Sequence, residues 1–209
     1  MLPVKKYGQI IILNGTPRSG KSSIAAVIQE TFEGIWMNLG TDHFMQMTPE
    51  RFQPGIGLRP GGERPDLEPF IVNLYQAMYE AIASHSRLGI HVVCDVGHHN
   101  AYSQPLGILP MCANILEGLP VLFAGVFCPI DVVMQRRIKT WQKGYGADGK
   151  VPPPVELWQE AVHVPGIYDV EIDTSIHKPA ECADIIRHHL KNGPPAAAFS
   201  MIRSSYRGK

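Results

Sequence analysis

The stretch GQIIILNGTPRSGKSS, residues 8–23, decides the fold of this 209-residue chain. Its first half is an apolar run rich in β-branched residues, which is typical of a buried strand. Its second half fits the pattern G-x-x-x-x-G-K-[ST] over residues 15–22, and a segment with helical periodicity follows at 21–32. The glycines let backbone N–H groups turn inward around phosphate oxygens, and the helix start adds its positive dipole end. A strand, this loop and a helix in that order predict a phosphate-binding loop.

The residues of this loop have distinct predicted tasks. Lys21 can reach the β- and γ-phosphates of a nucleotide, and the hydroxyl of Ser22 can bind Mg²⁺. The chain has no N-K-x-D motif for reading guanine and is short for a mechanical ATPase, so we expect a small kinase that uses ATP and Mg²⁺. The predicted nucleotide-binding residues of the loop are Gly15, Thr16, Pro17, Arg18, Ser19, Gly20, Lys21, Ser22 and Ser23.

Composition and charge argue against several classes of partner. Acidic and basic residues balance at 19 each, so no overall field favours nucleic acid or a membrane surface. The four cysteines form no CxxC pair and lie in apolar segments, which indicates buried, reduced thiols. No apolar run is long enough to span a bilayer, and the first residues lack the apolar core of a signal peptide. We therefore expect a soluble, cytoplasmic protein.

Strand-like and helix-like segments alternate along the chain. Strands are predicted at 8–14, 35–40, 90–96, 120–128 and 169–173, and helices at 21–32, 67–87 and near 105–117, 130–142, 155–163 and 179–191. This alternation implies right-handed crossovers and a five-stranded parallel sheet with helices on both faces, the three-layer α/β fold of P-loop NTPases.

Three segments fall outside this alternation. Residues 48–66, rich in Pro, Gly and Arg, are predicted to form a substrate loop, and residues 143–154 a mobile lid. Both are expected to close over the acceptor, with the helix turn near Phe70 as a pocket wall. Residues 192–209 lack a helical period and are predicted to be a mobile tail. We therefore expect a single domain over residues 1–191, followed by that tail.

Two aspartates end predicted strands, where ligands bind in such sheets. Asp42, in GTDHF, could accept the proton of an acceptor hydroxyl, or it could cap a short helix. Asp95, in VVCDVGHH, could hold Mg²⁺ beside Ser22. His98 and His99 follow it, and we expect a polar, solvated loop there. The nine histidines show no metal-ligand spacing.

The segment DVVMQRRIKTWQK, residues 131–143, predicts a basic helix before the lid. A solvated basic face is the common outcome of such a pattern. In a kinase, however, cations on a lid helix neutralise the phosphoryl group during transfer.

The order of these motifs resembles the chloramphenicol phosphotransferase family. The resemblance runs over roughly residues 8–190 and is carried by the P-loop, by GTD at 40–42 and by the ending WQEAVHVPGIYDVEIDTS at 158–175. It implies a fold similar to shikimate and adenylate kinases and transfer of the ATP γ-phosphate to a hydroxyl of the antibiotic. It also implies that Asp42 is the catalytic base, that Asp95 is an acidic site residue and that Arg136 is a lid arginine.

The resemblance further implies where adenine binds. By analogy with related kinases, Arg136 would stack on one face of the ring, and the segment 175–179 with Lys178 and Pro179 would close the other. The lid departs from the family pattern, because IKTWQKGYGADGKVPPP lacks the second lid arginine.

Three functions remain open on the sequence. The first is a kinase of a small-molecule alcohol, with Asp42, Lys21 and Arg136 as catalytic residues and Ser22 and Asp95 at the metal. The second is a kinase of an anionic metabolite or nucleotide, which the arginines of 48–66 would favour. The third is a non-catalytic ATP-binding switch. The expected partner is a small-molecule acceptor, with no nucleic acid or membrane, and the oligomeric state stays open.

Overall fold

The structure is a computed structural model that describes residues 6–206. Its centre is a parallel sheet of five strands in the order β2-β3-β1-β4-β5. The strands are β1 (Ile10–Asn14), β2 (Trp36–Asn38), β3 (His91–Val96), β4 (Val121–Phe127) and β5 (Val170–Asp173). The predicted five-stranded sheet and its strand segments are confirmed.

Helices cover both faces of the sheet. They are α1 (Lys21–Thr31), α2 (Thr41–Met47), α3 (Glu68–Arg87), α4 (Ile108–Ile115), α5 (Ile130–Trp141), α6 (Pro153–Ala161), α7 (Pro179–Asn192) and α8 (Ala198–Tyr206), with two 3₁₀ turns at Glu50–Phe52 and Gly55–Gly57.

The alternating side chains of β1 build two cores. Ile10 and Ile12 pack on one face with buried residues of α3, α4 and α8, whereas Ile11 and Leu13 pack on the other with those of α1 and α7. All of these strand side chains are fully buried, as a central parallel strand requires. The four cysteines are buried and free, as expected.

The C-terminal segment differs from its prediction as a mobile tail. Residues 198–206 form α8, which packs on α4 and β4 and buries Phe199 and Ile202. Asp169 caps this helix, because its Oδ1 accepts hydrogen bonds from the N–H groups of Ala197 and Ala198 at 2.7 and 2.9 Å. The last three residues of the predicted tail lie outside the described residues.

The two predicted loops differ in their packing. The 48–66 segment contains both 3₁₀ turns and buries Ile56 and Leu58 in the core. The residues that join α5 to α6 are largely exposed, and α6 already begins at Pro153, within the predicted lid. Whether this connection moves stays a prediction. Across residues 6–206, no helix has both the length and the apolar character needed to cross a bilayer.

Candidate active site

A cavity of about 590 Å³ opens beyond the carboxyl ends of β1 and β3. Its walls come from the P-loop (residues 15–22), α2, the second 3₁₀ turn, α3, α5, α6 and the segment after β5. In open α/β sheets, ligands bind at this edge where the strand order reverses. The topology therefore brings most of the predicted site residues into one place.

The P-loop forms because two of its positions require glycine. A Cβ on Gly15 would lie 2.4 Å from the carbonyl oxygen of Val126, which no side chain tolerates. Gly20 has a φ of 101° and is the N-cap residue of α1, where no side chain caps the helix. The first N–H groups of α1 therefore remain available for an anion.

Lys21 lies beneath the loop and holds its shape. Its Nζ donates hydrogen bonds to the carbonyl oxygens of Gly15 and Thr16 at 2.8 and 2.7 Å. Burial lowers the pKa of Lys21 to about 8, and the negative charges of Asp95 and Asp42 limit that fall. A phosphate that took the place of the two carbonyl oxygens as hydrogen-bond acceptor would meet the ammonium group of Lys21 already in position.

Ser22 and Asp95 form a direct pair. The Ser22 hydroxyl donates to Asp95 Oδ2 at 2.6 Å, and Asp95 is buried at the end of β3. Gly40 makes room for the carboxylate, since a Cβ there would lie 1.7 Å from Asp95 Oδ1. In the described part of the chain, no three His, Cys, Asp or Glu side chains gather as a metal site. A cation at this pair would therefore need oxygens from a ligand or water as well, which suits Mg²⁺.

Asp42 lies in the first turn of α2, exposed in the cavity. The N-cap position belongs to Gly40, and Asp42 makes no capping hydrogen bond. The alternative prediction, that Asp42 serves as the helix cap, is therefore wrong. Thr41 beside it has a buried hydroxyl without a hydrogen-bond partner and also lines the cavity. Sequence reasoning missed Thr41, because a threonine next to a predicted base carries no signal of its own.

Arg136 joins the lid helix α5 to the P-loop. Its Nη1 donates to the carbonyl oxygens of Ser19 and Arg18 at 3.0 and 3.3 Å and to Thr174 Oγ1 at 3.0 Å. Its Nη2 donates to the carbonyl oxygen of Thr174 at 2.6 Å. The guanidinium thus fixes the P-loop to the end of β5, and its stacking on adenine stays a prediction.

The segment after β5 contributes other residues than expected. Pro179 lines the cavity as predicted, but Lys178 is exposed and does not. His177 takes its place among the lining residues. Thr16 and Ser19 are buried inside the loop, with side-chain oxygens that have no hydrogen-bond partner.

Residues 8–191 match the family described as chloramphenicol phosphotransferase-like protein. The chain belongs to this family. Two Mycobacterium tuberculosis proteins, from strains CDC 1551 and H37Rv, are provisionally named O-phosphotransferases. Each is 23% identical over 219 residues, which cover 95% of this chain and 89% of the relative.

Solved structures share the fold at low identity. A provisionally assigned kinase of Chloroflexus aurantiacus has a TM-score of 0.60 and 16% identity, over 91% of this chain and 100% of that one. Shikimate kinase of Acinetobacter baumannii in complex with shikimate has a TM-score of 0.57 and 12% identity, over 89% and 94%. APS kinase of M. tuberculosis in complex with AMPPNP and APS has a TM-score of 0.57 and 15% identity, over 89% of this chain and 99% of that one. These matches confirm the predicted P-loop kinase fold.

Several apolar side chains also line the cavity. Met45, Ile56, Tyr75 and Trp158 are among the lining residues, and Trp158 packs against the turn at Gly97. The predicted pocket wall near Phe70 is wrong, because Phe70 does not line the cavity, is 44% exposed and packs on Phe52 with centroids 5.0 Å apart.

The loop after Asp95 is buried rather than solvated, which corrects the prediction for it. His98 and His99 are only 1% and 5% exposed. His98 Nε2 lies 2.6 Å from the hydroxyl oxygen of Tyr79 on α3, and His99 Nε2 lies 2.9 Å from the carbonyl oxygen of Leu58. Burial lowers the pKa of His98 to about 3, so its ring is neutral at physiological pH.

Family membership and the kinase fold support an enzyme that transfers a phosphoryl group to a hydroxyl of a small molecule. The geometry adds that Lys21, Ser22, Asp42, Asp95 and Arg136 line a single cavity.

Proposed function

We propose that this chain transfers the γ-phosphoryl group of ATP to a hydroxyl of a small, neutral molecule of the chloramphenicol class. The observation that carries the proposal is the convergence of three features on one cavity: the ammonium group of Lys21, the paired oxygens of Ser22 and Asp95, and the carboxylate of Asp42. The family description names chloramphenicol, and APS kinase, which shares the fold, is known with the nucleotide AMPPNP.

The residues fit ATP and Mg²⁺. The P-loop presents glycines where a Cβ would clash or strain the backbone, and α1 starts without a side-chain cap or an acidic residue. Triphosphate oxygens would therefore meet free N–H groups and Lys21. Ser22 and Asp95 would hold Mg²⁺, which when bound neutralises charge on the β- and γ-phosphates.

Asp42 is placed to take the acceptor's proton. As the acceptor oxygen bonds to the γ-phosphorus, its proton passes to the Asp42 carboxylate. The bond from the γ-phosphorus to the β–γ bridging oxygen breaks, and ADP leaves. Asp42 lines the cavity beside Thr41. Burial lowers the pKa values of Lys21 and Arg18, and the negative charge of Asp42 partly offsets both shifts.

The distribution of cations favours a neutral acceptor over an anionic one. Every lysine and arginine that lines the cavity belongs to the P-loop or to α5, on the nucleotide side. Arg59 and Arg64 of the substrate loop are exposed, pair with Glu63 and Asp66, and do not line the cavity. An anionic acceptor would need cations beside Met45 and Trp158, among the apolar lining residues.

A screen for acceptor-stimulated ATP turnover tests the proposal. The protein is incubated with Mg²⁺ and ATP, and ADP formation is measured against neutral antibiotics, sugars, nucleosides and shikimate-like acids. We expect turnover with a neutral alcohol and a product heavier by one phosphoryl group. The Lys21→Ala variant should show no turnover. ATP binding without turnover by any acceptor would instead indicate the non-catalytic switch, and turnover only with acids would indicate the anionic class.

A further inference from the structure

Arg18 occupies an unusual place in the P-loop. Its φ is 68°, in the left-handed region that arginine rarely adopts, and its side chain lines the cavity. Among residues 6–206, the only other non-glycine residue with a positive φ is Gln142, at 55°. Gln142 follows Trp141, the last residue of α5 and the aromatic residue that Arg18 contacts. The two positive φ angles therefore occur at Arg18 itself and at the C-cap residue directly after its contact partner Trp141.

The guanidinium of Arg18 is held but not paired. It lies 3.8 Å from the centroid of the Trp141 ring, and its Nε is buried without a hydrogen-bond partner. No carboxylate of the described residues lies within ion-pair distance of it. Burial lowers the pKa of Arg18, and the negative charge of Asp42 only partly offsets that fall. The guanidinium can leave such a cation–π contact and bind an anion instead, because the contact uses none of its N–H donors.

The other arginines near the cavity are committed elsewhere. Arg136 donates hydrogen bonds to the carbonyl oxygens of Ser19 and Thr174, among others. Arg137 lies over the same Trp141 ring at 5.3 Å but does not line the cavity. Within the described residues, Arg18 is therefore the arginine that lines the cavity with its side-chain N–H donors free of hydrogen bonds, on a loop of the phosphate-binding type.

We propose that Arg18 is a catalytic residue whose guanidinium contacts the γ-phosphoryl group during transfer, and that Trp141 holds it when no γ-phosphate is present. This inference rests on the proposed function. Arg18 donates N–H groups to the non-bridging oxygens of the phosphoryl group and exchanges no proton, since guanidinium stays charged. Arg18 and the proposed base Asp42 line the same cavity, and Arg136 acts as a positioning residue for the loop.

The test compares ATP with ADP, so that no acceptor is needed. Affinities of both nucleotides are measured by calorimetry for the wild type and for Arg18→Gln, Arg18→Gly and Arg87→Gln. We expect both Arg18 variants to weaken ATP binding about ten-fold or more and ADP binding less than two-fold, the scale of a lost charged hydrogen bond. The last variant is the matched control, because Arg87 is exposed in the last turn of α3 and does not line the cavity, and it should change neither affinity. Glycine favours a positive φ, so Arg18→Gly keeps the loop foldable even if Arg18→Gln does not.

Trp141 supplies an independent readout. Tryptophan emission should change on addition of ATP but much less on addition of ADP, and both Trp141→Phe and Arg18→Gln should abolish that difference. Equal effects of Arg18→Gln on ATP and ADP, or no effect on either, would overturn the role of Arg18 and leave the proposed function standing. A wild-type protein that binds neither nucleotide would instead overturn the proposed function.

Discussion

Ser22 at the start of α1 donates a hydrogen bond to Asp95 at the end of β3 across 2.6 Å. The two residues are 73 positions apart, and the parallel pairing of β1 with β3 brings them together. This contact joins the P-loop to the strand whose Asp95 is proposed to hold Mg²⁺ together with Ser22. If that proposal is right, disruption of the contact should weaken metal binding before it destabilises the fold.

Asp95→Asn should raise the Mg²⁺ concentration needed for half-maximal activity by about ten-fold or more, because an amide holds the cation's shell less well than a carboxylate. Titration of activity with Mg²⁺ at saturating ATP measures this. Asp173→Asn is the control, since that carboxylate accepts hydrogen bonds from Ser175 and does not line the cavity. An unchanged Mg²⁺ requirement in Asp95→Asn would remove Asp95 from the metal site.

Asp42→Asn should lower kcat by about 100-fold, as expected for loss of a general base, and leave the affinity for ATP nearly intact. Single-turnover kinetics and nucleotide calorimetry separate the two effects. Glu50→Gln, an exposed carboxylate in the 3₁₀ turn after α2, serves as control. A normal kcat at saturating acceptor would show that Asp42 is not the base.

The affinity for ATP should fall as pH rises above 8. In the free protein, burial lowers the pKa of Lys21 to about 8, so the residue loses its proton above that pH. Bound phosphates add negative charge beside the ammonium group and raise its pKa, so binding takes up a proton there. Between these two pKa values, the dissociation constant should rise about ten-fold per pH unit. Lys21→Arg stays charged throughout, and its dissociation constant should vary far less from pH 7 to 9.5. Equal pH profiles for the two proteins would exclude Lys21 as the group responsible.

Much of the fold could be predicted from local sequence patterns. The apolar run at 10–14, the loop at 15–22 and the helix after it each carry their own periodicity, and the sheet follows from their alternation. The same holds for Lys21 and Ser22, whose positions the motif fixes.

The missed features depend on distant partners. The burial of His98 depends on Tyr79, 19 residues earlier on α3, and α8 depends on a cap from Asp169, 28 residues from Ala197. The same is true of the hydrogen bonds from Arg136 to carbonyl oxygens as far as 118 residues away, whereas its role at the nucleotide stays a prediction. No local pattern signals such contacts, because they form only once the chain has folded.

Phe199→Ala should lower the free energy of unfolding by about 3 kcal/mol, the usual cost of truncating a buried phenylalanine. Phe199 packs edge-on against Phe123 of β4 with ring centroids 5.0 Å apart and is 8% exposed. Ser200→Ala, one position along the same helix and exposed, should change stability by less than 0.5 kcal/mol, roughly the scale of surface substitutions. Urea unfolding followed by circular dichroism measures both. Equal stabilities would return 198–206 to the predicted status of a dispensable tail.

The final prediction separates a neutral from an anionic acceptor. Arg59→Ala and Arg64→Ala should each change the acceptor KM less than two-fold, because both side chains are exposed, paired with carboxylates and outside the cavity lining. Trp158→Ala should raise KM about ten-fold or more, since it removes a large apolar side chain from the cavity lining.

The same kinetics should show a split between the two substrates. Trp158→Ala should leave the KM for ATP within two-fold, because Trp158 belongs to α6 rather than to the P-loop or α5. Arg136→Lys should raise the KM for ATP, because Arg136 holds carbonyl oxygens of the P-loop. A KM for the acceptor that rises with Arg59→Ala or Arg64→Ala but not with Trp158→Ala would mean that the substrate loop reorients its arginines toward an anion, and the neutral class would then be wrong.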